Sequence, residues 1–200
     1  MSARRAVAVP LAAFASWALA GVAGGLAVDG YSHLRHPLAL LGAHQLLGAP
    51  FNLFAFVLPG LAGVWVALRL RDGLPAATTP KAAGIGGWLV LLAALGFVAQ
   101  GLLPLDLDRL DGGGSRWHAT AWLLWALAFP VGAGLLGGGL WNAPGARRLA
   151  LASLAAGALV LACGFLGSGW VGAGIAQRLA FAAWLAWQLP AAAGLSRGAA

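Results

Sequence analysis

All four histidines, His33, His36, His44 and His118, and four of the five acidic residues, Asp29, Asp106, Asp108 and Asp111, fall within two short stretches of a chain otherwise poor in charge. An imidazole and a carboxylate brought together at the dry edge of a helix bundle can form an acid–base pair, a metal site or a proton-linked switch. The sharpest arrangement is a hairpin. Gly101-Leu102-Leu103-Pro104-Leu105-Asp106 runs directly into Asp108, Arg109 and Asp111, Gly112 to Gly114 let the chain reverse, and Arg116-Trp117-His118 follows. Pro104 cannot extend a helical ladder, so a helix is expected to stop or kink there. That places Asp106 at a helix end with His118, just inside the next helix, at a similar depth. The two can do chemistry together, or an Asp–His or Asp–Arg pair can simply fix the turn.

Further polar side chains join this set. His33 and His36, three apart, have a spacing that can share a metal, and Asp106 and His118 would complete a zinc-type set with them; the bland reading is a pair of interfacial polar residues. Tyr31 lies beside them. Gln177 and Arg178 open the last apolar stretch, where an arginine snorkels to the surface, pairs with Asp106 or binds a lipid phosphate. Asn52, Gln100 and Gln188 lie inside apolar runs and are expected to hydrogen-bond between helices, or to line a cavity. Cys163 is solitary and reads as a small core residue; neither a disulfide framework nor a thiolate metal site can be built from it within one chain.

The elements that must position these groups follow from composition. Hydrophobic residues make up 61% of the chain and charged ones 8%, against about 25% charged in soluble domains. So few charges cannot cover a water-facing surface, so lipid is the solvent over most of this one. A span needs roughly twenty apolar residues, and six stretches qualify: about 6–28, 50–70, 83–103, 117–140, 149–171 and 175–195. Turn chemistry separates them, at Arg71-Asp72-Gly73, Thr79-Pro80-Lys81, Asp111 to Gly114 and Asn142-Ala143-Pro144-Gly145. The expected fold is all-α, one six-helix transmembrane domain over residues 1–200. A short interfacial or capping helix is expected between Leu38 and Ala49, because that segment is too apolar to float in water and too short to cross. No stretch alternates at period two over strand length, which argues against a β-barrel. Arg4, Arg5 and Ala18-Leu19-Ala20 resemble a signal peptide, but the length of the apolar run favours an uncleaved first helix.

Basic residues set the orientation. Arg4, Arg5, Arg69, Arg71, Lys81, Arg147, Arg148 and Arg197 fall on one side of the six spans, and Arg35, Arg109, Arg116 and Arg178 on the other. Eight against four places both termini in the cytoplasm of a cell (plasma or inner) membrane and the acidic and histidine-bearing loops outside. The same scatter of cations at span ends accounts for the net charge of +7, so no nucleic-acid partner is expected. Membrane lipids are the expected partners. Gly21 with Gly25 and Gly134 with Gly138 form small-residue faces through which helices, or copies of the chain, could associate.

Three functional readings follow. The first is a non-catalytic or transport-type protein that holds a lipid or small amphiphile in an outward-facing pocket, with Asp106, His118, Arg178, Asn52, Gln177 and Tyr31 as polar anchors and no cofactor. The second is a metal-dependent intramembrane hydrolase with zinc on His33, His36, His118 and Asp106. It lacks the paired helical histidines that mark such sites. The third is haem-based electron transfer, which needs axial histidines from two spans where only His118 is expected on one. There is no phosphate loop, nucleophile elbow or dinucleotide fingerprint.

Taken in order, Tyr31-Ser32 with His36-Pro37 and Leu41-Gly42, Pro50-Phe51-Asn52, Phe56 through Gly60, Gly101 to Pro104 with Asp106, His118, and Gln177-Arg178 with Trp184 resemble the domain of unknown function 998 family. These are six-helix bacterial and archaeal membrane proteins with a distant likeness to the eukaryotic DRAM/Frag group. The resemblance covers nearly the whole chain. It implies the same six-helix topology and a bacterial inner membrane, and it implies no reaction. Family members often carry a serine before the Leu-Gly pair, where this chain has Ala39-Leu40, so a role for that hydroxyl does not transfer.

Overall fold

The computed structural model describes residues 3–74 and 79–194. Among them lie six long helices and no strand: α1 (Ala3–Ala27), α2 (Gly48–Asp72), α3 (Lys81–Leu102), α4 (Gly113–Leu140), α5 (Arg147–Phe165) and α6 (Ala173–Gly194). Each helix packs on its neighbour in sequence, α5 and α6 being joined through a short helical turn, and α6 closes the ring against α1 while touching α2. Loop ends therefore alternate, and the loops after α1, α3 and α5 share one end of the bundle. Arg4, Arg5, Leu195 and Arg197 of the sequence reading lie outside what the structure describes in side-chain detail.

Five of these helices are long and apolar enough to cross a membrane. The sixth, α6, has the length, but Gln177, Arg178 and Gln188 lower its apolarity. Leu19, Leu26, Leu61, Leu95, Leu127 and Leu159 are among many large apolar side chains that face outward, as expected when lipid replaces water. This is a membrane protein. Trp117 and Trp170 are exposed at the end that carries the first, third and fifth loops. At the other end Arg71 lies 3.3 Å over the Trp88 ring and Arg147 5.2 Å over Trp141, an arrangement that holds cations at the aromatic belt.

The core is aromatic. Phe97 of α3 and Trp184 of α6 stack with centroids 4.3 Å apart, and Phe56, Trp125 and Phe181 join them at 5.0–5.7 Å from Phe97. Helices α3 and α4 approach through glycine. A Cβ on Gly132 would stand 2.8 Å from the Leu89 Cβ and 3.0 Å from the Gly86 carbonyl, while one on Gly134 or Gly138 would meet nothing within 4 Å. The face predicted from Gly134 and Gly138 thus points away from the bundle, and close packing uses Gly86, Gly132 and Gly139 instead. Gly21 and Gly25 face Leu38 and His33 of the first loop rather than another helix.

Three local expectations change. The segment after Pro37 is a five-residue 3-10 turn (Leu38–Gly42), and Leu38, Ala39, Leu41 and Gly42 are buried against the bundle. It is the capping alternative in a shorter form, ending at Gly42 rather than running to Ala49, and α2 begins at Gly48. Helix α5 stops at Phe165, and a separate turn, Ser168–Val171, precedes the left-handed Gly172 (φ 84°). Within α2, Leu53–Val57 is a π-helical segment in which the Leu58 N–H reaches back to the Leu53 carbonyl. Pro59 supplies no N–H to the turn before it, so the Phe54 carbonyl has neither an α nor a π partner on its own helix. Ser16 Oγ of α1 donates to it at 2.8 Å.

Gly132→Leu is expected to force α3 and α4 apart and to destabilise the detergent-solubilised protein by about 1–3 kcal/mol, as overpacking does. Gly134→Leu is expected to change stability by no more than about 0.5 kcal/mol. Comparing the thermal unfolding of the two variants with that of the parent checks this.

Candidate functional site

At the end shared by the first, third and fifth loops, two polar networks stand on different scaffolds. The first is centred on Asp106. Pro104 ends α3 as expected: the helix stops at Leu102, and Leu103 leaves the helical region (φ −119°, ψ 71°). Asp106 then caps a short 3-10 turn (Leu107–Arg109). Its carboxylate accepts from Gln45 Nε2 at 2.7 Å, from the Asp108 N–H at 3.1 Å and from Arg109 Nε at 3.3 Å. These bonds, led by the one from Gln45, hold its pKa below the ordinary carboxylate value. Ser115 Oγ closes the hairpin by accepting from the Asp106 N–H at 2.9 Å and donating to the Asp106 carbonyl at 3.0 Å. Gln45 was not anticipated; its signal is an amide in the apolar half of the first loop.

His118 does not join Asp106. It is buried, and its Nδ1 lies 3.1 Å from the Gln100 carbonyl and 2.9 Å from the Leu103 carbonyl. Both partners are acceptors, so Nδ1 carries the proton and donates. The Gln100 carbonyl would ordinarily be bonded by the N–H four residues on, which is Pro104 and has none. His118 supplies the missing donor. Its ring also stands edge-on to Phe56, with centroids 6.3 Å apart.

The second network is centred on Arg178. Its Nη1 donates to the carbonyls of His33 (2.9 Å), His36 (3.0 Å) and Gly174 (2.8 Å). Its Nη2 donates to the Tyr31 hydroxyl at 2.5 Å and lies 3.2 Å from His33 Nδ1. Burial pushes the Tyr31 phenol above its ordinary pKa, with the guanidinium pulling the other way; the protonated hydroxyl shares its hydrogen between the His36 and Pro37 carbonyls. Ser32 N–H donates to His36 Nδ1 at 3.1 Å, and Leu38 N–H donates to Gln177 Oε1 at 2.6 Å. The first loop is in this way hung on the first turns of α6. Gly174 is required beneath it, since a Cβ there would lie 2.7–2.8 Å from the carbonyls of His33, Leu34 and His36. Asn52 serves the same loop from α2, donating through Nδ2 to the Gly42 carbonyl at 2.8 Å.

Of the predicted site residues, Tyr31, His33, His36, Gln177 and Arg178 come together. Asp106 and His118 have separate partners, and Asn52 braces the loop from below. No three His, Cys, Asp or Glu side chains among the described residues converge as a metal site would require. Gln100 and Gln188 make no interhelical bond: their amides are buried with no hydrogen-bond partner among the described residues. Beside Arg178, the one residue of α6 that lines it, a groove of about 270 Å³ opens between α1 and the first loop, lined by Trp17, Ala18, Gly21, Val22, His33 and Leu38. Its walls were not anticipated, because alanine, glycine and valine in an apolar run carry no mark of a site. A smaller groove of about 180 Å³, around Trp122, Cys163 and Gln177, has no charged lining residue.

The substitution of His118 for an absent backbone donor predicts a coupling. His118→Ala is expected to cost about 1–3 kcal/mol of stability by orphaning buried carbonyls, and less when Pro104→Ala has restored the backbone N–H. A double-mutant cycle on unfolding in mild detergent measures the difference; strictly additive effects would contradict this role.

Neither the curated proteins nor the solved structures contain a match to this chain. A family model described as "Protein of unknown function (DUF998)" matches residues 11–194. The match includes Tyr31, the Pro104 hairpin, His118 and Arg178, and it places the chain in the DUF998 family of proteins of unknown function.

Proposed function

We propose that this chain is a six-span protein of the cell (plasma or inner) membrane, with both termini cytoplasmic, that binds or moves a lipid or small amphiphile in the outward-facing groove between α1 and the first loop. The observation that carries the reading is the groove itself: apolar from Trp17 to Val22 and closed at its loop end by Arg178 and His33. Small-molecule sites combine apolar walls with a few placed polar groups, and an amphiphile has that same division. A volume of about 270 Å³ lies just below the roughly 300–1,000 Å³ typical of ligand pockets, which suits a short chain or a segment of a longer one.

Orientation is supported by the charge count, eight basic residues against four, and by the aromatic and arginine pairs at the less acidic end. For α6, the polar Gln177 and Arg178 lie within its first turns, where a span meets the head groups and tolerates them.

Lipid-depleted protein in a neutral detergent is expected to be stabilised against heat by added short-chain lipid. Val22→Trp, which fills the groove from an exposed position on α1, is expected to remove that response while leaving the melting of the lipid-free protein within a few degrees of the parent. An equal response in parent and variant would refute the groove as the binding site.

A further inference from the structure

We infer that the occupant of this groove is an anionic amphiphile, its head group held by the Arg178 guanidinium and its chain laid along Trp17, Ala18, Gly21 and Val22. The inference rests on the amphiphile reading above and adds the class of head group.

The chain has five acidic side chains, Asp29, Asp72, Asp106, Asp108 and Asp111, and all five are among the described residues. The one ion pair among the described residues joins Asp106 to Arg109. Every group bonded to Arg178 is a carbonyl, a phenol or an imidazole nitrogen. Dipoles of this kind orient a guanidinium and satisfy its N–H groups, but they leave a full positive charge at the loop end of an apolar groove. A cation in such surroundings calls for a counter-ion.

The geometry leaves room for one. The Nε–H of Arg178 makes no hydrogen bond to a described residue and, unlike the indole N–H of Trp17, it is not sealed from the surroundings. Arginine binds phosphate and carboxylate oxygens through charge-assisted bonds, and Nη2 can turn from His33 Nδ1, its longest contact at 3.2 Å, toward such an oxygen. An arginine that merely snorkels directs its N–H groups outward into water. Here Nη1 and Nη2 point into the protein at the first loop, which holds the charge at the head of the groove.

Native mass spectrometry of the full-length protein in neutral detergent tests the inference, using phosphatidylglycerol, phosphatidylcholine and diacylglycerol with identical acyl chains, and inorganic phosphate. Phosphatidylglycerol is expected to be retained at least about five-fold better than the other two lipids, the factor that one well-placed cation gives at a lipid surface. Val22→Trp is expected to abolish its retention. Arg178→Lys and Arg178→Gln both give up the fork that holds the first loop, so the preference that Arg178→Lys is expected to keep over Arg178→Gln reports the charge alone; loss to the same extent in both would overturn the role of the charge. Equal retention of all three lipids, abolished by Val22→Trp, would overturn the anionic head group and leave the amphiphile reading standing. Retention indifferent to Val22→Trp would overturn both. Retention of inorganic phosphate to the same extent as phosphatidylglycerol would show a free-anion site and overturn the lipid assignment.

Discussion

The first loop of this protein is held by one guanidinium. Arg178 gathers the carbonyls of His33, His36 and Gly174 with the Tyr31 hydroxyl, all within 3.0 Å, and so converts a segment of little regular structure into a fixed cover on α1 and α6. Irregular backbone at the edge of a bilayer survives only when its polar groups find partners in the protein. Arginine suits the task because its planar fork spreads five donors over three nitrogens, whereas the three of a lysine radiate from one atom. The groove, the packing of Leu38 and Leu41, and the seating of Gly174 under the loop all presuppose this clamp.

The same demand for backbone partners explains residues that otherwise look chemical. At Pro59 and Pro104 the missing N–H leaves a carbonyl without its helical donor, and a side chain from a neighbouring helix answers each: Ser16 takes the Phe54 carbonyl and His118 takes the Gln100 carbonyl. In water a freed carbonyl is solvated at little cost. In lipid it costs several kcal/mol, so such pairs couple the helices they join. A buried histidine in a membrane helix can therefore be a substitute backbone donor before it is an acid, a base or a ligand.

Much of the architecture was legible in the sequence because it rests on length and hydropathy: the helices fall where the apolar runs do, and Pro104 ends α3 where its missing N–H demands. The family, too, was legible in the order of its short motifs. The end of α5 at Phe165 was not, since an apolar run continues through Trp170 and only the local turn geometry breaks it. The residues that assemble around Arg178 were all visible as polar outliers, yet their grouping depends on α6 lying against α1, a pairing that no local pattern encodes. The pairing expected between Asp106 and His118 followed from their closeness along the hairpin; in three dimensions Gln45 and the α3 carbonyls are nearer claimants.

Arg178 holds the first loop in place. Hydrogen–deuterium exchange of the solubilised protein measures this directly at the amides of residues 31–38. In the parent protein, slow exchange is predicted at His36 and Leu38, whose N–H groups bond the Ser32 carbonyl and Gln177. In Arg178→Ala these amides are predicted to exchange far faster, while those of α3 and α4 keep their protection. Unchanged protection of residues 31–38 in Arg178→Ala would contradict the account.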